Sequence, residues 1–166
     1  MIKHLTILSF LIFITACSSQ PQKVRSQKVE AMVTKAEKNT TDVGKKIIET
    51  SKSMIDDNEI IVGGCWNYID SVFSRAGYTP KKRVTVYKSK YKGPYLKEDL
   101  IQPGDWLYYV NHSYGRSEHS GIFIGWVDKS KKEALMVSYP GEKRREPASF
   151  KTYNLKNIYN VIRAQD

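Results

Sequence analysis

Between residues 28 and 58 the apolar positions fall at helical spacing: Val29, Met32, Val33 and Ala36, then Val43, Ile47, Ile48, Met54 and Ile55. This period predicts two helices, and Asn39-Thr40-Thr41-Asp42 supplies the break and cap between them. A third amphipathic stretch covers 66–76, with Trp66, Ile69, Val72, Phe73 and Ala76 on one stripe. It runs into Gly77, a residue suited to the left-handed turn that closes a helix. A basic loop follows, holding Tyr87, Tyr91, Gly93, Pro94 and Tyr95, and beyond it the pattern changes to the period of two that marks strands. Strands are predicted over 106–110, 119–127, 134–139 and 159–164, the first fed by a Pro103-Gly104-Asp105 turn. The predicted class is α+β, with N-terminal helices packed on a small antiparallel sheet.

The first residues follow a different rule. Met1 to His4 is short and basic, an apolar run covers 5–14, and Thr15-Ala16 places small residues before Cys17. The run falls short of the roughly 20 residues a membrane span requires, so it reads as an export signal. Ile14-Thr15-Ala16-Cys17 resembles the bacterial lipobox, with Ile in the place usually held by Leu. The resemblance implies cleavage after residue 16 and acylation of Cys17, hence a membrane anchor in the cell envelope. In a cell with two membranes it implies the inner face of the outer one. Residues 17–27 are rich in Ser, Gln and Lys and are expected to form a tether, leaving 28–166 as one domain.

Charge and cysteine count narrow the chemistry. The 27 basic residues outnumber the 17 acidic ones, for a formal charge of +10. The lysines are spread along the chain rather than gathered, which fits a solvated or envelope-facing surface and not a nucleic-acid partner. The domain is expected to be monomeric. With Cys17 assigned to the anchor, Cys65 is the one remaining thiol of the 2 cysteines, so no internal disulfide can form. Three histidines, one of them in the leader, are too few for a catalytic zinc site, and no metal or cofactor is expected.

Cys65 follows Gly63-Gly64 and opens the third predicted helix. Unpaired N–H groups and the positive end of the helix dipole stabilise a thiolate at that position. His119 heads the strand His119-Ser120-Gly121-Ile122-Phe123-Ile124, with Gly121 leaving room beside the imidazole. A helix carrying Cys65, packed on the His119 face of that strand, would pair nucleophile and base. His112 lies in a polar connection without such alternation, and Asp105 fits a turn cap better than a catalytic carboxylate.

Three segments together resemble the NlpC/P60 superfamily of papain-like cysteine hydrolases and its CHAP relatives: Gly64-Cys65-Trp66, Ile101-Gln102-Pro103-Gly104-Asp105-Trp106, and His119-Ser120-Gly121-Ile122-Phe123-Ile124-Gly125. The likeness covers roughly 60–164. It implies a papain-like fold and a hydrolase that cuts amide bonds, commonly in the peptide stems of peptidoglycan, with Cys65 and His119 catalytic. The chain departs from the family around the nucleophile, where Asp-Cys-Ser-Gly is usual. It also lacks the aromatic-Gly-Gly segment well upstream of the cysteine. The third family member is a polar residue, often His, on the strand after the catalytic histidine. In Leu135-Met136-Val137-Ser138-Tyr139 that role falls to Tyr139, with Ser138 or a backbone carbonyl as the alternative. Trp66, Tyr109, His112 and Tyr114 are candidates for substrate contact, and Arg144-Arg145 for a carboxylate. A noncatalytic binding lipoprotein on a degenerate scaffold stays open as an alternative. So does a lipid- or acyl-directed thiol hydrolase or transferase.

Overall fold

The structure is a computed structural model that describes residues 20–112 and 115–166. The expected leader (1–16) and Cys17 lie outside the described residues. Within them, no helix is long and apolar enough to cross a membrane. The helices are α1 (Gln20–Asn39), α2 (Asp42–Asp56) and α3 (Cys65–Arg75). Six strands follow: β1 (Arg83–Lys88), β2 (Trp106–Asn111), β3 (Ser117–Asp128), β4 (Glu133–Ser138), β5 (Ser149–Asn154) and β6 (Ile158–Ala164). They form one sheet in the order β1-β6-β2-β3-β4-β5, with every pairing antiparallel. The α+β class is therefore observed, with three helices on a six-stranded sheet.

Two differences from the expectations stand out. The helix α1 begins at Gln20, inside the 17–27 segment. The segment Gln22-Lys23-Val24-Arg25 consists largely of good helix formers, and Pro21 falls in the first turn, where its missing N–H costs nothing. The sheet also gains β1 and β5, neither of which was predicted. β1 lies inside the basic loop and β5 beyond Tyr139; both are outermost strands with largely exposed or half-buried positions. Edge strands carry lysines that blunt further pairing, and this blurs the alternation by which strands are read.

The break between the first helices behaves as its residues require. Thr41 caps α2, its hydroxyl accepting from the Gly44 N–H at 3.1 Å. Helices cover one face of the sheet: Ile47, Ile48 and Met54 of α2 and Tyr68, Ile69, Val72 and Phe73 of α3 bury with Trp106, Ile122, Ile124, Leu135 and Val137. The opposite face, with Leu107, Tyr109, Phe123 and Met136, is closed by Leu96, Ile101 and Leu155 from connecting segments.

Two charged clasps fix the elements that matter for the site. Arg83 of β1 bonds Asp70 Oδ1 at 2.5 Å, the Tyr78 carbonyl at 2.7 Å and Ser74 Oγ at 3.0 Å. Its guanidinium also lies over the Phe73 ring, so one residue ties α3 to the sheet. Asp105, fully buried, accepts two bonds from Arg163 at 2.8 and 2.7 Å and one from the Gln102 N–H at 2.8 Å. A buried carboxylate so engaged holds the turn before β2, as its sequence context predicted, and takes no part in the site below.

Candidate functional site

α3 starts abruptly, and its first residue is Cys65. Gly63 has φ +105°, and a Cβ there would lie 2.3 Å from Asn67 Oδ1. Only glycine allows the Asn67 side chain to fold back and accept from the Gly64 N–H at 3.0 Å. The first intrahelical bond runs from the Tyr68 N–H to the Gly64 carbonyl. The N–H groups of Cys65, Trp66 and Asn67 precede it and have no acceptor within the helix.

The sheet provides the place into which this tip is delivered. β3 pairs with β2 along 117–122, but with β4 only from Ile122↔Val137 onward. Residues 117–121 consequently keep one open edge where β4 departs. Beyond β4, the Tyr139 hydroxyl donates to the Ile61 carbonyl at 2.7 Å and the Glu142 N–H donates to the Gly63 carbonyl at 3.0 Å. The segment leading to Cys65 thus runs beside the departing chain.

Cys65 is half-buried. Burial pushes its thiol up, but hydrogen bonding from His119, the charge of its imidazole and the nearby polar groups of Ser120 outweigh burial, and the pKa falls to about 7. The Ser120 hydroxyl, itself buried, makes no hydrogen bond of normal geometry. It acts as a nearby dipole, and we assign the main stabilisation of the thiolate to His119. The structure therefore brings Cys65 and His119 together, though not across the expected face. The α3 stripe packs on the Ile122/Ile124 side of β3, opposite the face that alternation gives His119. Thiol and imidazole meet instead at the open end of the strand.

The imidazole is held from behind. His119 Nε2 lies 3.0 Å from Ser138 Oγ, which lies 2.8 Å from the Tyr153 hydroxyl. If Nε2–H donates to Ser138, Ser138 can donate in turn to Tyr153, and Nδ1 is left with its lone pair for the sulfur. Tyr109 and Tyr153 also pack against the ring, at centroid distances of 5.6 and 5.5 Å.

These contacts revise several sequence assignments. Tyr139 is not the orienting group: its hydroxyl is taken by Ile61 and its ring stacks on Tyr68 at 4.7 Å. Ser138 occupies that position. Tyr109 is fully buried, so it supports His119 from below and cannot touch a substrate. Trp66, the residue after Cys65, is 48% exposed, and its ring packs on Trp106 at 5.7 Å. His112 is exposed and is not among the groups acting on the thiol. Tyr114 and the lipidation candidate Cys17 lie outside the described residues. Tyr153 was missed because the strand carrying it was missed; the aromatic and β-branched content of Phe150, Thr152 and Tyr153 was the signal available.

A cavity of about 150 Å³ opens on the Ser138 side of the imidazole, lined by His119, Ser138, Tyr153, Ser117, Arg144 and Lys151 among others. Ile60, Val62 and Trp66, close to Cys65 in the chain, are exposed apolar side chains. Comparison with known proteins gives no match: no family model, curated protein or solved structure matches this chain.

Proposed function

We propose that this protein is a papain-like cysteine hydrolase, similar to the NlpC/P60 superfamily. In this reading it is lipid-anchored through Cys17 in a bacterial envelope and cleaves an amide bond in the peptide stems of peptidoglycan. The observation that carries the reading is the Cys65 thiol, drawn down to about 7 at a helix tip by an imidazole that Ser138 and Tyr153 hold in place. A thiol that merely packs in a core has neither feature.

The chemistry follows from those positions. His119 Nδ1 takes the Cys65 proton, and the sulfur attacks the substrate carbonyl carbon. Free N–H groups at the start of α3 face the developing oxyanion, each such donor contributing about 3 kcal/mol to the barrier reduction. Protonated His119 gives its proton to the departing amine as the C–N bond breaks, leaving a thioester. Water, deprotonated by the same nitrogen, then attacks the thioester carbonyl. The acid product leaves and the thiol is restored.

Incubation of the protein with purified wall peptide stems, monitored by mass spectrometry, is the direct test. We expect a new amine and carboxyl terminus from the native chain and none from Cys65→Ser. Intact stems after incubation with a chain whose thiol alkylates readily would overturn the substrate assignment. An inert thiol would overturn the hydrolase and favour a binding role on the same scaffold. The exposure of Ile60 and Val62 supports a second reading, in which an acyl chain lies over these side chains and the scissile bond is a lipid ester or amide. Micellar acyl ester substrates separate the two.

A further inference from the structure

The cavity behind His119 has a chemistry of its own. Two of its lining residues, Arg144 and Lys151, are cationic; the remainder contribute an imidazole, hydroxyls, an amide and a proline, and none is acidic. Lys151 and Tyr153 share one face of β5 by the two-residue period, and Ser149, on the same face, pairs with Ser138. Lys151 makes no ion pair among the described residues, and its side chain is exposed. Arg144 reaches the cavity from the turn after Pro140-Gly141, which the Glu142 N–H anchors to the Gly63 carbonyl next to the nucleophile. The two cations therefore approach from independent elements, each fixed to part of the site.

From this placement we propose that the cavity is a carboxylate subsite, formed by Arg144 and Lys151, that selects amide substrates bearing an acid group close to the scissile carbonyl. The inference rests on the hydrolase reading and sharpens its substrate to an acidic peptide. Arg and Lys with neighbouring hydroxyls match a planar anion, the guanidinium by paired N–H donors. A volume of about 150 Å³ admits a carboxylate with a short stem, since a cavity of that size elsewhere holds a benzene-sized guest. The cavity shares the His119 imidazole with the reactive pair, so the anion proposed for it is one carried by the molecule being cleaved. Peptides carry carboxylates at that separation from an amide. The subsite would also bring a negative charge to a side of the ring where, among the described residues, no carboxylate lines the cavity.

The test needs no known substrate. Cys65 of the intact chain is alkylated with N-bromoacetylglycine, N-bromoacetyl-β-alanine and their neutral methylamides, and the ratio of acid to amide rates is compared among variants. We expect the native protein to prefer an acid probe about five-fold, the effect of one charged contact at a partly exposed position. Lys151→Met and Arg144→Gln should each cut the preference to about half or less. Lys45→Met, on α2 and outside the cavity lining, should keep it. A native ratio near one overturns the subsite. So does a ratio that Lys45→Met lowers as far as Lys151→Met, since that would trace it to overall charge. Failure of both probe types to react points elsewhere: the thiol is inert, and the hydrolase reading falls together with this inference.

Discussion

At the scale of single residues the site is a contest between desolvation and an imidazole, and removing one side decides the outcome. With His119 in place the Cys65 thiol lies at about 7, so half of it is thiolate near neutrality. Replacing His119 by Ala deletes its hydrogen bond and its charge, while burial, which opposes ionisation, remains. The pKa should then rise above the ordinary thiol value of about 8.5. Measured as the pH midpoint of iodoacetamide alkylation, the shift should exceed one unit upward; a midpoint unmoved by His119→Ala would sink the pairing. Ser138 acts one step further out, as a positioning residue. Ser138→Ala leaves Nε2 without its acceptor and frees the ring to turn, so the turnover rate should fall about 10-fold or more while KM stays within about two-fold, by analogy with the cost of losing outer hydrogen bonds at other reactive centres. The alkylation midpoint should rise in the same variant. Tyr139→Phe, which loses only a bond to a carbonyl, should leave the midpoint where it is.

At the scale of elements the site depends on how α3 is set against the sheet, and this was only partly legible in the sequence. The stripe Ile69, Val72, Phe73, Ala76 marked a helix and its buried side, and Gly63-Gly64 marked a sharp entry to it. What the pattern could not show was where the tip arrives, because that follows from β4 leaving β3 after Val137 rather than from either segment alone. The same departure lets the Cys65 tip and Ser138 meet His119 at one open strand end. Ser138 and Tyr139 were equivalent on paper; only the stacking of Tyr139 on Tyr68 and its bond to Ile61 separated them. Nor did any residue pattern announce Arg83, whose side chain is 8% exposed and bridges Asp70, Ser74 and Tyr78. Arg83→Met should keep most of the apolar packing yet strand the Tyr78 carbonyl and the half-exposed Asp70. Such losses cost about 2–3 kcal/mol, or a melting temperature lower by about 10 °C. Circular dichroism melts measure it. Because the clasp holds the nucleophile helix, alkylation of Cys65 should slow in the folded variant as well.

At the scale of the whole molecule the open question is whether α1 belongs to the folded unit or merely precedes it. Among its described side chains Lys28, Glu30, Lys35 and Lys38 are exposed, and only Val33 and Ala36 are fully buried, with Val29 and Met32 in part, against the same core that α3 closes. Nevertheless these four side chains seal the helical face of the sheet. Their burial is worth about 4–6 kcal/mol by the usual scale for apolar side chains. Domains of this size are stable by only about 5–15 kcal/mol in total, so the helix is a large share of the margin. A chain beginning at Ser26, which keeps all four contacts, should therefore melt close to the native temperature and retain a reactive Cys65. A chain beginning at Thr40 should melt about 12–30 °C lower or fail to fold, at about 3–5 °C per kcal/mol. Equal melting temperatures for the two would show α1 to be an ornament on the tether rather than part of the domain. The folded unit would then start at the Thr41 cap of α2.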